Sequence, residues 1–260
     1  MIDIHTHVMP GIDDGSESMD MSLQMLAIAA ESGVHTIVAT PHCNIPDEYE
    51  NYAGDEMMSL WRQLESAAAE AQIPVKLCRG MEIFATEALP ELLTERRVWT
   101  INDTKYFLLE FSFGEDPDFC RYILRKASDL GFRPIIAHPE RYFFVQDDPE
   151  LAYEFCVSGY GLQVNKGSLM GRFGPGPKRT ADLILDHGLC ACIASDAHRP
   201  YERSTFMTDL RDYLEEEYGE AYMRLLLEEN PARILSGRDL LGFAAELGPV
   251  FFTHGPEGLV

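Results

Sequence analysis

Short apolar runs alternate with longer stretches that carry apolar side chains at helical spacing along most of this chain. The opening run, Ile2-Asp3-Ile4-His5-Thr6-His7, reads as a strand that Pro10-Gly11 and Asp13-Asp14-Gly15 end in a turn. Met19, Leu23, Met25, Leu26 and Ile28 to Ala30 then predict a helix, with Ser16 or Ser18 as N-cap and Gly33 as stop. Further strands are predicted over about 34–40, running into Pro41-His42, and over 75–82, 106–111, 134–138, 160–165 and 189–195. Between them the pattern predicts helices near 55–72, 86–96, 117–130, 149–157 and 177–187, and after the last strand near 203–217, 219–229 and 231–236. Residues 166–176 read as a Gly/Pro-rich loop.

Seven strands alternating with helices imply an α/β fold with a mainly parallel sheet, for which right-handed crossovers make a closed or nearly closed barrel the natural form. No internal repeat or low-complexity linker precedes residue 237, so one domain is expected over 1–237. Residues 238–260 have no periodic pattern. Gly255-Pro256-Glu257-Gly258 suggests a mobile end, although Phe243, Phe251 and Phe252 could dock.

Composition narrows the classes. A chain of 260 residues that is 46% hydrophobic can fill the core of one α/β barrel. A formal charge of −22 argues against a nucleic-acid surface, because such affinity is built on Lys and Arg neutralising phosphates. It would also slow an anionic substrate unless the site itself is locally positive. The six cysteines form no C-x-x-C pair and no disulfide framework, so reduced thiols in a cytoplasmic protein are expected. The strand pattern starts at Met1 and no long apolar run occurs, so neither a cleaved leader nor membrane insertion is expected.

The chemistry gathers at strand ends. His5 and His7 sit two residues apart, a spacing that puts both imidazoles on one face of a strand. His42, Glu82, Glu110, His138, Asp196 and His198 lie at the carboxyl ends of other predicted strands, the rim on which barrel active sites are built. Imidazole plus carboxylate without thiolate suits Mn²⁺, Fe²⁺ or Zn²⁺ in an open site. His35 lies at the wrong strand end, His187 suits a helix C-terminus, and His254 reads as a surface residue. Arg141 and Arg203 follow His138 and His198 closely. Their guanidinium forks match phosphate oxygens and would supply the positive field that the whole chain lacks.

These residues resemble the polymerase and histidinol phosphatase (PHP) superfamily, in its branch of bacterial manganese-dependent protein-tyrosine phosphatases of capsule and exopolysaccharide loci. The resemblance runs from Met1 to about Gly237. It is carried by Asp3-Ile4-His5-Thr6-His7, Gly11-Ile12-Asp13-Asp14-Gly15, Ala39-Thr40-Pro41-His42, Leu108-Leu109-Glu110-Phe111, Ala137-His138-Pro139-Glu140-Arg141-Tyr142, Gln163-Val164-Asn165 and Ala194-Ser195-Asp196-Ala197-His198. It implies a distorted (β/α)7 TIM-like barrel of PHP type holding three divalent ions, with Mn²⁺ the expected metal. His5, His7, Glu82 and Asp196 would hold one ion, Glu82, Glu110 and His138 a second, and His42, His198 and Asp14 a third. Arg141 and Arg203 correspond to phosphate-binding positions. The implied partner is the phosphotyrosine-rich C-terminal tail of a bacterial tyrosine autokinase.

The expected chemistry is hydrolysis of phosphotyrosine by direct attack of a metal-bound hydroxide, with the two arginines stabilising the phosphoryl oxygens. No cysteine is followed by arginine at the C-x₅-R spacing of thiol-dependent phosphatases. The competing expectations are a histidinol-phosphate phosphatase or other PHP phosphoesterase, and a non-catalytic metal-bound regulator that docks on a kinase.

Overall fold

A computed structural model describes residues 1–242. Nine strands occur among them: β1 (Ile2–Thr6), β2 (Thr36–Ala39), β3 (His42–Cys43), β4 (Lys76–Arg79), β5 (Glu82–Phe84), β6 (Tyr106–Glu110), β7 (Arg133–Ala137), β8 (Gly161–Asn165) and β9 (Cys192–Ala194). The helices are α1 (Met19–Glu31), α2 (Asp55–Glu70), α3 (Leu89–Thr94), α4 (Pro117–Asp129), α5 (Phe143–Asp147), α6 (Glu150–Val157), α7 (Lys166–Leu169), α8 (Pro175–Asp186), α9 (Thr208–Tyr218), α10 (Glu220–Arg224) and α11 (Asn230–Leu235). Capping chemistry sets several boundaries. The Ser18 side chain accepts from Met21 N at the start of α1, and Asp116 accepts from Asp118 N ahead of Pro117 in α4.

All ladder pairings between the strands are parallel, in the orders β1-β2-β4 and β3-β5-β6-β7-β8-β9. The strands expected over 34–40 and 75–82 are each interrupted. Pro41 has no N–H to continue a ladder, and Gly80 lets the neighbouring segment follow it closely. Ala39 pairs with Arg79 below the break and His42 with Glu82 above it, while Gly80 N still donates to Ala39 O and Glu82 N to Pro41 O. The two segments therefore pass together from the first sheet to the second, and His42 and Glu82 begin short strands instead of ending long ones. β1 is tied to the segment after β9 by a Thr6–Ala197 bridge, His7 N donating to Ala197 O, and Asp196 N donating to His5 O.

Alternation along the strands separates two apolar layers. Phe107, Leu109, Ile136, Leu162, Val164 and Ile193 join the large cluster with the helices, whereas Tyr106, Leu108, Ile135, Ala137, Cys192 and Ala194 form the inner one. Glu110 and Asp196 continue the inner-facing parity of β6 and β9, which carries both carboxylates to the same rim.

Other expectations differ in detail. The loop expected over 166–176 contains the single turn of α7, and α8 begins at Pro175, where proline is tolerated in a first helical turn. α9 starts only at Thr208, because 199–207 crosses the rim, and α10 gives way to a π-helical turn at Leu225–Glu229. Residues 238–242 pack beneath the sheet: Tyr106 OH donates to Arg238 O, Asp239 pairs with Lys105 and Arg133, and Leu241 N donates to Asn230. Phe243, Phe251, Phe252, His254 and the Gly255–Gly258 stretch lie outside the described residues. No helix among the described residues is long and apolar enough to cross a membrane.

Candidate metal centre

Two of the site residues leave their strands in the left-handed backbone region, His138 at φ 35° and Asp196 at φ 50°. Such conformations are costly for non-glycine residues and gather where surrounding structure fixes a side chain for use. Glycine serves the same rim at position 15. A Cβ there would meet His7 Cβ and His7 O at 2.3 Å, so only glycine lets the Asp13-Asp14-Gly15 turn fold back over His7.

All nine residues expected as ligands converge. His5 Nε2 and His7 Nε2 lie 3.1 and 3.2 Å from Glu82 Oε2, and 3.6 and 3.5 Å from Asp196 Oδ1. His138 Nε2 lies 2.9 Å from Glu82 Oε1 and 3.6 Å from Glu110 Oε1. Asp14 Oδ1 lies 3.5 Å from His42 Nε2 and 3.2 Å from His198 Nε2, while His42 Nδ1 faces Glu82 and Glu110. Donor atoms within 4.8 Å of one another fall into the sets His7, Asp14, His42, His198; His5, His7, Asp196; and His42, Glu82, Glu110.

Around the ligands stands a shell that sequence reasoning left without roles. Gln163 Nε2 donates to Val164 O, so its Oε1 is the acceptor for His5 Nδ1–H at 2.7 Å. His7 Nδ1 lies 2.8 Å from Asp13 Oδ2, and His198 Nδ1 donates to Asp196 O. In each ring one nitrogen is tied down and Nε2 is turned inward, the arrangement by which metal-binding histidines have their tautomer and orientation set. Asp13 also accepts from His42 N and Gly15 N. Asn165 Nδ2 donates to Asp196 Oδ2 at 2.6 Å, and the buried Glu140 accepts from Asn165 N and Ser168 Oγ. Gln163 and Asn165 carried a readable signal, since they are polar residues at alternate positions of an otherwise apolar buried strand.

The residues fit cations better than they fit one another. His42 Nδ1, Glu82 Oε2, His138 Nδ1 and Asp196 Oδ1 are buried and make no hydrogen bond within the protein, although several lie at ion-pair distance from neighbours. Unpaired buried polar atoms are expensive, and two of these, His42 Nδ1 and Glu82 Oε2, face each other at 3.1 Å in a group with Glu110 that could hold an ion. Charge tells the same story. Burial, together with Glu82 and Asp196, pushes the Glu110 carboxyl well above its ordinary range. Burial opposes the charge on Glu82, but His5 and His42 outweigh it and hold the carboxyl well below that range. Burial also opposes charge on His7, yet Asp13 raises that imidazole well above its usual value, while burial lowers His42 and His138. Cations among these groups would remove both the carboxylate repulsion and the desolvation conflict.

Both expected arginines reach the edge of this cluster. Arg203 Nη2 donates to Asp196 Oδ2 at 2.6 Å, and Arg141 Nη1 lies 3.5 Å from the same oxygen. Asp196 thus turns one oxygen to the imidazoles and the other to the guanidiniums. The histidines set aside stay apart: His35 Nδ1 contacts Thr36 Oγ1 below β2, and His187 Nδ1 contacts Leu183 O after α8. All six cysteines are buried.

Comparison with known proteins shows the family. The family model for capsular polysaccharide synthesis, CpsB/CapC, matches residues 1–236. The chain is 32% identical over 240 residues to the tyrosine-protein phosphatase YwqE of Bacillus subtilis, covering 92% of this chain and 93% of YwqE. It is 29% identical over 245 residues to the tyrosine-protein phosphatase CpsB of Streptococcus pneumoniae, covering 90% and 98%. A chain from the crystal structures of YwqE and CpsB, described as unique metal-dependent tyrosine phosphatases, matches with a TM-score of 0.86 at 32% identity, covering 92% of this chain and 96% of the other. A Listeria monocytogenes lactonase matches with a TM-score of 0.54 at 13% identity, covering 90% of this chain and 94% of the lactonase, a likeness of fold alone.

Proposed function

This chain belongs to the CpsB/CapC family of capsular polysaccharide synthesis proteins, and from that premise we propose that it is a metal-dependent protein-tyrosine phosphatase. The observation that carries the reading is the convergence of five imidazoles and four carboxylates on one rim, with buried donor atoms left unsatisfied by the protein and two guanidiniums at the edge. In this reading the seven strand segments form a distorted (β/α)7 barrel of PHP type, joined where β1 meets the segment after β9.

We assign three divalent ions, with manganese the expected metal. Glu82 would bridge a site made with His5, His7 and Asp196 to one made with Glu110 and His138, and Asp14, His42 and His198 would complete the third. Glu82 approaches His5, His7 and His138 closely and Asp14 approaches His42 and His198, as this division needs, while His42 also lies 3.1 Å from Glu82 and His7 groups with Asp14, His42 and His198 as well. When bound, such ions lower the pKa of water and neutralise phosphoryl charge.

The chain's own part is orientation and electrostatics. Gln163, Asp13 and the Asp196 carbonyl hold His5, His7 and His198 with Nε2 inward. Arg141 and Arg203 bind the phosphoryl oxygens and stabilise charge as the bond to tyrosine breaks, offsetting locally the negative field of the whole chain. Tyrosinate, with a parent pKa near ~10, leaves more readily than an alkoxide and needs less proton donation. The partner in this reading is the phosphotyrosine-bearing tail of a bacterial tyrosine autokinase in the cytoplasm.

The test is metal content measured together with turnover on a phosphotyrosine peptide and on histidinol phosphate. Preference for the peptide by the manganese-loaded protein supports the reading. Preference for histidinol phosphate, or no turnover of any phosphoester with full metal, refutes it.

A further inference from the structure

An arginine that grips a phosphoryl group does so best when its guanidinium is already ordered, because ordering a long side chain on binding costs affinity. Among the described residues, Asp196 is the sole carboxylate that pairs with Arg141 or Arg203, and it meets one end of each fork. Aromatic faces do the rest. Arg141 Cζ lies 4.4 Å from the Phe173 ring centroid and 4.9 Å from that of Phe113, so the guanidinium contacts both rings. Arg203 Cζ lies 5.8 Å from the same Phe173 ring. Phe113 serves Arg141 alone, whereas Phe173 is common to both.

The backbone is arranged to place that ring. Phe173 sits in Gly171-Arg172-Phe173-Gly174, whose glycines take φ 73° and 93°, turning the chain back across the rim between α7 and α8. The ring rests on Gly167, where a Cβ would lie 2.6 Å from Phe173 Cε2 and 2.9 Å from Cζ. Phe173 and Arg203 also line a cavity of about 430 Å³ with Lys166, Ser195 and Tyr201.

We propose that Phe173 is a positioning residue for phosphoryl binding: its ring, seated on Gly167, fixes the Arg141 and Arg203 guanidiniums in the orientation that receives phosphate oxygens. This deepens the phosphatase reading and rests on its assignment of the two arginines.

The test uses the manganese-loaded full chain with Phe173→Ala, Phe173→Tyr and Gly167→Ala. The readouts are inorganic phosphate binding by calorimetry, kcat and KM on a phosphotyrosine peptide, and metal content. Phe173→Ala is expected to weaken phosphate binding roughly 2- to 30-fold, the span that one or two stacked guanidinium contacts supply, with metal content unchanged. Phe173→Tyr should keep near wild-type affinity. Gly167→Ala should shift binding in the same direction as Phe173→Ala, since it displaces the ring without removing it. In an Arg141→Ala/Arg203→Ala background, Phe173→Ala should have no further effect, which a general structural role would not produce. Unchanged phosphate affinity in both Phe173→Ala and Gly167→Ala overturns the proposal, as does an undiminished effect when both arginines are gone. If Phe173→Ala fails to fold, Gly167→Ala and Phe173→Tyr decide. A wild-type protein that binds phosphate in a Phe173-dependent way without turning over any phosphoester would reject the phosphatase reading and leave this inference standing.

Discussion

Asp13 Oδ2 lies 2.8 Å from His7 Nδ1, and the same carboxylate accepts from the backbone of His42 and Gly15. One side chain that is not itself a candidate ligand therefore fixes the opening His-x-His stretch, the second strand segment and the turn bearing Asp14. Orienting carboxylates of this kind typically carry about 10–100-fold in metal affinity. Asp13→Ala is expected to weaken manganese binding by that order, with turnover recovering at saturating metal. A titration showing wild-type affinity would remove Asp13 from the site.

Arg141 and Arg203 differ in how firmly they hold Asp196, at 3.5 and 2.6 Å. Arg141→Ala should lower turnover on an aryl phosphate by roughly 10²–10³, the usual loss for a donor aimed at developing charge, while metal content stays at the wild-type level. Arg203→Ala should lower turnover comparably and also loosen metal, because Asp196 loses its shortest charged donor. Metal analysis beside steady-state kinetics separates the two; metal loss in Arg141→Ala would make that residue structural.

Chelation and alkylation should act oppositely. Burial pushes the Cys43 thiol up to about 12 and raises Cys78, Cys120, Cys190 and Cys192 as well, so little thiolate forms at neutral pH. Exhaustive chelation is expected to abolish phosphatase activity and added manganese to restore it, while iodoacetamide leaves the native protein active. Inactivation by alkylation with metal retained would contradict the mechanism.

The Arg121–Glu154 pair tests surface electrostatics away from the site. Arg121 donates to both Glu154 oxygens, joining α4 to α6, and holds that carboxyl below its ordinary value. A lowered folded-state pKa contributes stability above the unfolded value and loses it as pH falls through the folded one. For so exposed a pair the effect is about 0.2–1 kcal/mol. Glu154→Gln should therefore lower the melting temperature slightly at pH 7, with the difference from wild type vanishing in acid below the usual carboxylate range. A difference that persists there would point to packing instead of charge.

Local pattern is what the amino-acid sequence determined by itself. Period-two and helical spacing marked seven strand segments and most helices, and His5, His7, His42, Glu82, Glu110, His138, Asp196 and His198 stood out because polar ligands ended apolar runs. Asp14 came only with the family resemblance, and the tertiary structure places it against His42 and His198. For His5 the inward ring nitrogen was settled by Gln163, 158 residues away, and Asp196 is held by Asn165, 31 residues away. Those contacts depend on the register of parallel strands, which no short window contains. The breaks at Pro41 and Gly80, the left-handed turns at His138 and Asp196, and the ring of Phe173 against two arginines have the same origin. Each is a conformation or contact that becomes favourable only once distant segments have packed, so only the folded chain could decide it.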